Sequence, residues 1–371
     1  MKKIAIIGAN EFQNPLILKA KELGYETHVF AWQSGDIGEK SADFFYPISI
    51  VEKEEIFNKC REIGVDAVCS VGSDLAVLTV NYVARKMGFP CNPDYTDTHA
   101  TNKYLMRSAF EKAGVPVPHY MYSEGKVPTD IVNKMKFPLI VKPTDRSGSR
   151  GIFKIETRGE LSEAIEAACE ESFEKRAIIE EYIEGEEYSA EGISFDGEHH
   201  ILAFTKKYTT GAPHFIETGH MEPSDLSAEV KKKAEKTIKN ALDALQIKMG
   251  ASHSEFRVTE NGDIRIIEIG ARMGGDCIGT DLVEISTGLD FVKMVIDVAC
   301  GLKPSFEKVR QPRRAEIYFI FTNNDLKKYE NIREKHPDKI WRASQIQKIK
   351  EGTVTDSSNR FGYYILQGEE I

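Results

Sequence analysis

The sequence predicts a mixed α/β and α+β chain that opens on a doubly wound, Rossmann-like parallel sheet. Three observations carry this. Apolar strands alternate with amphipathic helices up to about residue 95. Beyond that point, strand patterns pair through turn dipeptides such as Asp196-Gly197 and Asn261-Gly262. A chain of 371 residues, 41% hydrophobic and 29% charged, can bury more than one core.

The first unit reads as strand KIAIIGA, helix PLILKAKELG, strand THVFAW, the segment IFNKCREIGVDAVCSVG and a helix through LAVLTVNYVARKMG. Its ligand face is expected at the strand C-termini, which carry Gly8, Ala9 and Asn10 and, later, Gly72, Ser73 and Asp74. No GxGxxG follows the first strand, so a nicotinamide cofactor is disfavoured. The turn-rich FPCNPDYTDTHATNK closes the unit, and a helix is expected from about Asn102 to Ala113. The strand FPLIVKP then ends at Lys142 and Pro143 and runs into TDRSGSRG, a loop of small, polar and basic residues. Such a loop can wrap phosphates with backbone N–H groups, and a solvated turn has the same composition. Strand GIFKIE, helix LSEAIEAACEESF and strand RAIIEEYI complete a small α+β unit. EYSAEGISF and EHHILAFTKKYTT pair across Asp196-Gly197, and GAPHFIETGHMEP is expected to be a loop holding His214, Phe215, Glu217 and His220. The lysines of SAEVKKKAEKTIKNALDALQ read as the solvated face of a long helix. After Gly301, short strands such as RRAEIYFIF and FGYYILQGEE predict a small C-terminal unit. The expected boundaries are 1–95, 96–305 and 306–371.

Composition removes several classes of function. The net charge of −9 comes without a basic tract, which argues against nucleic acid as a partner, and no apolar run approaches the roughly 20 residues of a membrane helix. MKKIAIIGAN reads as a buried strand rather than a signal peptide. The six cysteines lack metal or redox spacing, which predicts reduced thiols in a cytoplasmic protein; Cys277, beside the glycine-rich loop, reads as a buried structural thiol.

The hairpin SEFRVTENGDIRIIE carries the strongest chemical signal. A two-residue turn at Asn261-Gly262 sets Glu260 opposite Asp263 and, counting back, Glu255 opposite Glu268 on one face. Like charges so placed destabilise a sheet unless a cation compensates them, and paired carboxylates with phosphate oxygens suit Mg²⁺. A bulge or an outward-facing glutamate would instead leave an ordinary surface hairpin. Just past Glu268 lie Arg272, Gly274 and Gly275, a place suited to close approach of an anion.

Taken in order, TNKYLM, FPLIVKPTDRSGSRG, EEYIEGEEYS, GASHSE and IIEIGARMGG resemble the ATP-grasp superfamily over most of the chain. More narrowly, they are similar to carboxylate-amine ligases of the L-amino-acid ligase (dipeptide synthetase) group. The resemblance implies an ATP-grasp fold behind the Rossmann-like domain, with a lid at about 115–185. ATP and Mg²⁺ are implied, as one or two ions, with Mn²⁺ as a substitute. It implies phosphate contacts from Lys103, Lys142 and, less firmly, Lys206, which Lys207 replaces if the register differs by one. Ser147, Gly148 and Ser149 match a loop that closes over the phosphates. Glu180 matches a residue facing the adenine amino group, the backbone through Glu181, Tyr182 and Ile183 its hinge, and Glu187 the acceptor of the ribose hydroxyls. Glu255 and Glu268 match metal ligands, and Arg272 the arginine that holds the substrate carboxylate and the oxyanion. The superfamily often has asparagine where this chain has Gly270, which puts a second metal in doubt.

The activity implied is ATP-dependent joining of a carboxylate to an amine through an acylphosphate, releasing ADP and phosphate. His253, His214 and Glu217 are candidate bases for the amine, with a structural role for His253 as the alternative. Glu217, His214, Gly274 and Asp276 are substrate candidates, with Glu217 and Asp276 expected to recognise an amino or hydroxyl group. The other readings are a relative acting on purine precursors or bicarbonate, and a nucleotide-binding protein without catalysis. The expected partners are small-molecule acids and amines, with a homodimer as the default assembly.

Overall fold

The computed structural model describes residues 1–127, 134–148, 150–212, 215–350 and 359–371. Strands β1 (Lys3–Ile7), β2 (Glu26–Phe30), β3 (Phe44–Tyr46) and β4 (Ala67–Cys69) form a parallel sheet in the order β3-β2-β1-β4. A parallel strand covered on both faces must be apolar throughout, and Ile4, Ala5, Ile6 and Ile7 are fully buried. Strand order reverses between β1 and β4, which opens a crevice at their C-terminal ends. The helix Asp74–Met87 starts there, its first turn capped by Ser73 Oγ, which accepts from the Ala76 N–H at 3.2 Å.

Strands β5 (Tyr120–Ser123), β6 (Leu139–Pro143), β7 (Phe153–Ile155) and β8 (Ala177–Glu181) form a small antiparallel sheet, β5-β8-β6-β7, packed on the helix Leu161–Glu171. The remaining strands are β9 (Glu186–Phe195), β10 (Glu198–Thr209), β11 (Glu217–Glu222), β12 (Gly250–Val258), β13 (Ile264–Gly270), β14 (Arg313–Phe319), β15 (Ile340–Ala343) and β16 (Tyr363–Glu370). They make one antiparallel sheet of eight strands, β13-β12-β9-β10-β11-β14-β16-β15. Alternation along each strand splits its residues between two faces. Tyr188, Ala190, Phe256, Ile266 and Ile269 pack against the helices Lys103–Lys112 and Ala228–Ala244. On the opposite face, Ile193, Ala203 and Ala251 meet the helix Phe291–Ala299 and, through it, the parallel sheet. The C-terminal strands, read from sequence as a unit of their own, complete this same sheet. They are tied to the segment after β13 by Arg342, which donates to both oxygens of Asp281 at 2.7 Å.

Three local expectations need correction. The segment GAPHFIETGH does not stay a loop: from Glu217 it becomes β11, because β14 arrives from far along the chain to pair with it. Gly219 permits that approach, since a Cβ there would lie 2.6 Å from the Ile317 carbonyl oxygen. The β12–β13 turn is also longer than two residues, with pairing that begins at Val258↔Ile264. A bulge at Ile267 then restores the balance, so Glu255 still faces Glu268. In β10, by contrast, the Asp196-Gly197 turn forms as expected, but a bulge at Leu202 adds one residue. Every side chain beyond it changes face, so Lys206 pairs with Tyr188 and points out while Lys207 points in.

No helix among the described residues is long and apolar enough to cross a membrane, and all six cysteines are free. Glu222, at the end of β11, is fully buried and accepts from Thr205 Oγ1 at 2.6 Å and Ser286 Oγ at 2.7 Å. Burial outweighs those two hydroxyls and pushes its pKa from 4.5 up to about 7. The unfolded carboxyl ionises first, so the native state loses stability as pH rises from about 4.5 through about 7, by roughly 3 kcal/mol in all. Glu222→Gln keeps both hydroxyl partners and removes the ionisation. Thermal unfolding should show it matching the wild type near pH 5 and melting several degrees higher at pH 8; an equal gap at both pH values would contradict the assignment.

Candidate functional site

A cleft opens between the small sheet and the inner face of the large one, lined by side chains from both and by the helix Lys103–Lys112. Lys103 Nζ donates to Glu268 Oε1 at 3.0 Å and to the Arg146 carbonyl at 2.6 Å, linking that helix to β13 and to the loop after β6. Lys207, 3% exposed, lies 2.5 Å from Glu255, 3.4 Å from Glu187 and 3.5 Å from Glu217. Burial disfavours its charge, yet the three carboxylates hold its pKa well above the ordinary lysine value. The same pairing holds Glu255 well below the usual carboxylate range, against its own burial.

Lys142 and Glu180 face each other at 2.7 Å, and Arg107 Nε reaches the second oxygen of Glu180 at 2.5 Å. Burial opposes the carboxylate charge, but Arg107 and Lys142 bring Glu180 down to about 2. Burial and the neighbouring cations Arg107 and Lys103 lower Lys142 against the pull of Glu180. Arg107 Nη1 and Arg146 Nε are buried N–H donors without a partner among the described residues. Unfilled donors beside excess cationic groups are what an anionic ligand would satisfy.

At the segment between β8 and β9, Arg257 donates to the Ile183 carbonyl at 2.7 Å and to Glu187 Oε2 at 3.1 Å. Its guanidinium lies 4.7 Å from the centre of the Tyr182 ring, which has Lys154 at 4.6 Å. Part of the expected hinge is already engaged: Glu181 N–H bonds His119, Tyr182 N–H bonds Pro138, and the Ile183 carbonyl takes Arg257. Ile140, Ile152, Ile183 and Ile267 supply apolar wall to the same cleft. Ser147 and Gly148 line it as well, while Ser149 and His214 lie outside the described residues.

The structure departs from sequence expectation at five site residues. Lys206 leaves the site and pairs with Asp225 at 2.6 Å and Glu186 at 3.2 Å, for the register reason above. His253 is not a free base: Nδ1 meets Glu191 and Nε2 lies 3.4 Å from Glu255. Burial works against the imidazolium, but Glu191 and Glu255 raise its pKa to about 9, so it holds its proton. Arg272 does not present an open fork, because Asp74 accepts from its Nε at 2.7 Å and its Nη2 at 3.1 Å. Glu217 and Asp276, expected to recognise a polar group, are both engaged by one cation in this structure. Arg360 donates to Asp276 at 2.7 Å and lies 3.4 Å from Glu217.

Two glycines are explained by what crowds them. A Cβ at Gly274 would sit 2.4 Å from Glu191 Oε1 and 2.8 Å from His253 Nδ1, and the Gly274 N–H donates to Glu191 at 2.8 Å. A Cβ at Gly270 would fall 3.1 Å from Asp74 Oδ1 and 3.2 Å from Arg272 Nε, so the Arg272–Asp74 pair occupies the space a longer side chain would need.

Arg107, Glu191, Arg257 and Arg360 carry no site expectation from the sequence, and Asp74 carries only its place at a strand C-terminus on the expected ligand face. Simple periodicity marks three of them. Arg107 is one helical turn beyond Lys103, Arg257 is two residues beyond Glu255, and Glu191 is four beyond Glu187 on the same strand face. Periodicity does not reveal the pairing of Asp74 with Arg272 or of Arg360 with Asp276, because each partner comes from another part of the chain.

Glu255 and Glu268 offer oxygen donors only, the hard ligand type that suits Mg²⁺. No group of three metal-binding side chains converges among the described residues, so phosphate and water would complete the coordination.

The ATP-grasp domain family matches residues 135–281. Alanine–anticapsin ligase of Bacillus subtilis (strain 168) is 29% identical over 295 residues, which are 70% of this chain and 61% of the relative. The chain thus spans about three fifths of the length of that curated relative. The crystal structure of L-amino acid ligase from Bacillus licheniformis superposes with a TM-score of 0.83 at 24% identity, covering 99% of this chain and 93% of that one. Phosphoribosylglycinamide synthetase from Anaerococcus prevotii gives a TM-score of 0.78 at 20% identity, over 100% of this chain and 95% of that one.

The two adjacent lysines provide a test of the register. Lys207→Met should cost at least about 100-fold in ATP-dependent kcat/KM, because it leaves Glu255 and Glu187 uncompensated and removes a cation from the cleft. Lys206→Met should stay within about threefold, as expected for an exposed ion pair. The reverse ranking would place the wrong lysine in the site.

Proposed function

We propose, from the premise that this chain carries an ATP-grasp domain and has the ATP-grasp fold, that it is an ATP- and divalent-metal-dependent carboxylate-amine ligase. The reaction forms an acylphosphate and releases ADP and phosphate, with an amino acid on at least one side. The observation that carries this reading is the pair Glu255 and Glu268, each compensated by a lysine, in a cleft that continues to Arg272. The ligases named among the relatives and neighbours support the same class.

A carboxylate oxygen attacks the γ-phosphorus and the bond to the β-phosphate oxygen breaks, so ADP leaves. An amine nitrogen then attacks the acyl carbon, the carbon–oxygen bond to phosphate breaks, and the nitrogen loses one proton. Neither step needs a side-chain nucleophile; both need positioning and neutralisation of charge. Lys103, Lys142 and Lys207 supply cationic groups for phosphate oxygens, and Glu187 accepts from ribose hydroxyls. Glu255 and Glu268 would hold Mg²⁺, which would supply neutralisation of phosphate charge. The loop through Ser147 and Gly148 excludes water that would hydrolyse the acylphosphate. Arg272, once its fork leaves Asp74, takes the reacting carboxylate and the developing oxyanion. His253, held protonated, orients Glu255 through its hydrogen bonds.

Hydroxylamine in place of the amine tests the first half-reaction by itself. Mg-ATP with a panel of amino acids and small organic acids should give ADP together with the hydroxamate of the acid used. AMP and pyrophosphate, or ADP release that does not depend on any acid, would contradict the reading.

A further inference from the structure

Arg360 approaches the site from the C-terminal end of the chain and lies against the start of β11 and the loop that follows β13. Its Nη1 donates to Asp276 Oδ1 at 2.7 Å, and its Nη2 donates to the Glu217 carbonyl at 3.3 Å and Oε2 at 3.4 Å. The guanidinium carbon sits 3.6 Å from the centre of the Phe319 ring, which fixes its plane. Two sets of hydrogen-bonding groups around it are unused by the described residues. Among the described residues, Arg360 Nε is buried without a partner, and His220, 1% exposed, has no hydrogen bond at either ring nitrogen, although Asp276 Oδ2 is 3.5 Å from its Nε2. Beside Asp276, a Cβ on Gly275 would meet no atom of the described residues within 4 Å.

The chain thus holds two arginines near the end of β13, each engaged by an aspartate from a different element: Arg272 by Asp74 and Arg360 by Asp276. A planar guanidinium is matched to a carboxylate, and an internal aspartate is the group a substrate carboxylate can replace. In the ligation proposed above, Arg272 serves the carboxylate that reacts. An amino-acid acceptor brings a second carboxylate, which does not react, together with its amine. Such a zwitterion adds no net charge to the cluster. Its carboxylate can take Arg360, and the Asp276 oxygens so released can accept from its amine. A simple amine would leave the Arg360–Asp276 pair closed, and a carboxylate alone would add an uncompensated charge.

We propose that Arg360 binds the unreacted carboxylate of the acceptor, and so selects an amino acid over an amine that lacks one. Asp276 keeps its place until the acceptor arrives. This inference rests on the ligase reading.

The test compares acceptors at a fixed donor, the acid identified by hydroxamate formation. The proteinogenic amino acids are set against their α-amides, with wild type and Arg360→Lys, which keeps the charge and loses the fork. Wild type should prefer the amino acid over its amide by about 100-fold or more in kcat/KM. In Arg360→Lys that ratio should fall below about tenfold, mainly through the KM of the acceptor, with the KM for ATP unchanged. A ratio does not depend on the fraction of folded enzyme, and equal use of acid and amide by the wild type overturns the proposal without the variant. Equal use of acid and amide by wild type, or an unaltered ratio in Arg360→Lys, would overturn the proposal while hydroxamate formation left the ligase reading standing. Absence of any hydroxamate would overturn both.

Discussion

The Lys207 ammonium, 3% exposed and within 3.5 Å of carboxylate oxygens from Glu187, Glu217 and Glu255, is the contact on which the rest of the cleft depends. A charge so far from water is tolerated only where opposite charge surrounds it, and the uncompensated alternative costs several kcal/mol. Its three partners come from β9, β11 and β12, so one side chain on β10 joins strands on both sides of it. Lys103 and Glu268 repeat the arrangement at the far edge, and Lys142, Arg107 and Glu180 do so where the small sheet meets the helix Lys103–Lys112. The cleft is therefore lined by cations held by carboxylates.

That arrangement links fold to chemistry. An antiparallel sheet places residues from distant parts of the chain side by side, and its alternation sends one set to the core and the other to the cleft. The apolar set of β9 and β12 is sealed by the helix Ala228–Ala244. The polar set is rigid because its members are bonded to one another: His253 joins Glu191 to Glu255, and Glu191 in turn accepts from the Gly274 N–H. Preorganisation of this kind reduces the cost of ordering charges when a ligand binds.

Much of this was legible in the residues, and the failures have two causes. The parallel sheet follows from apolar strands and amphipathic helices that are local signals, and Glu255 faces Glu268 as expected. That agreement came partly by compensation, since a longer turn and a bulge at Ile267 cancel. At Leu202 nothing cancels the bulge, and the inward lysine shifts from Lys206 to Lys207. A bulge has no sequence signature at either place, and each one reverses the faces of all that follows. The remaining misses have partners far along the chain: Asp74 on Arg272, Arg360 on Asp276, and β14 beside β11. Local periodicity carries no information about such pairs.

The central claim is that Glu255 and Glu268 hold Lys207 and Lys103 until a divalent cation takes their place, leaving both ammonium groups for phosphate. Calorimetric titration of the wild-type protein with a non-hydrolysable ATP analogue, with Mg²⁺ and then with the metal chelated, tests it most directly. The account predicts binding at least about 100-fold tighter with the metal, because without it the nucleotide must compete with two carboxylates for the same lysines. Equal affinity in the two conditions would contradict it.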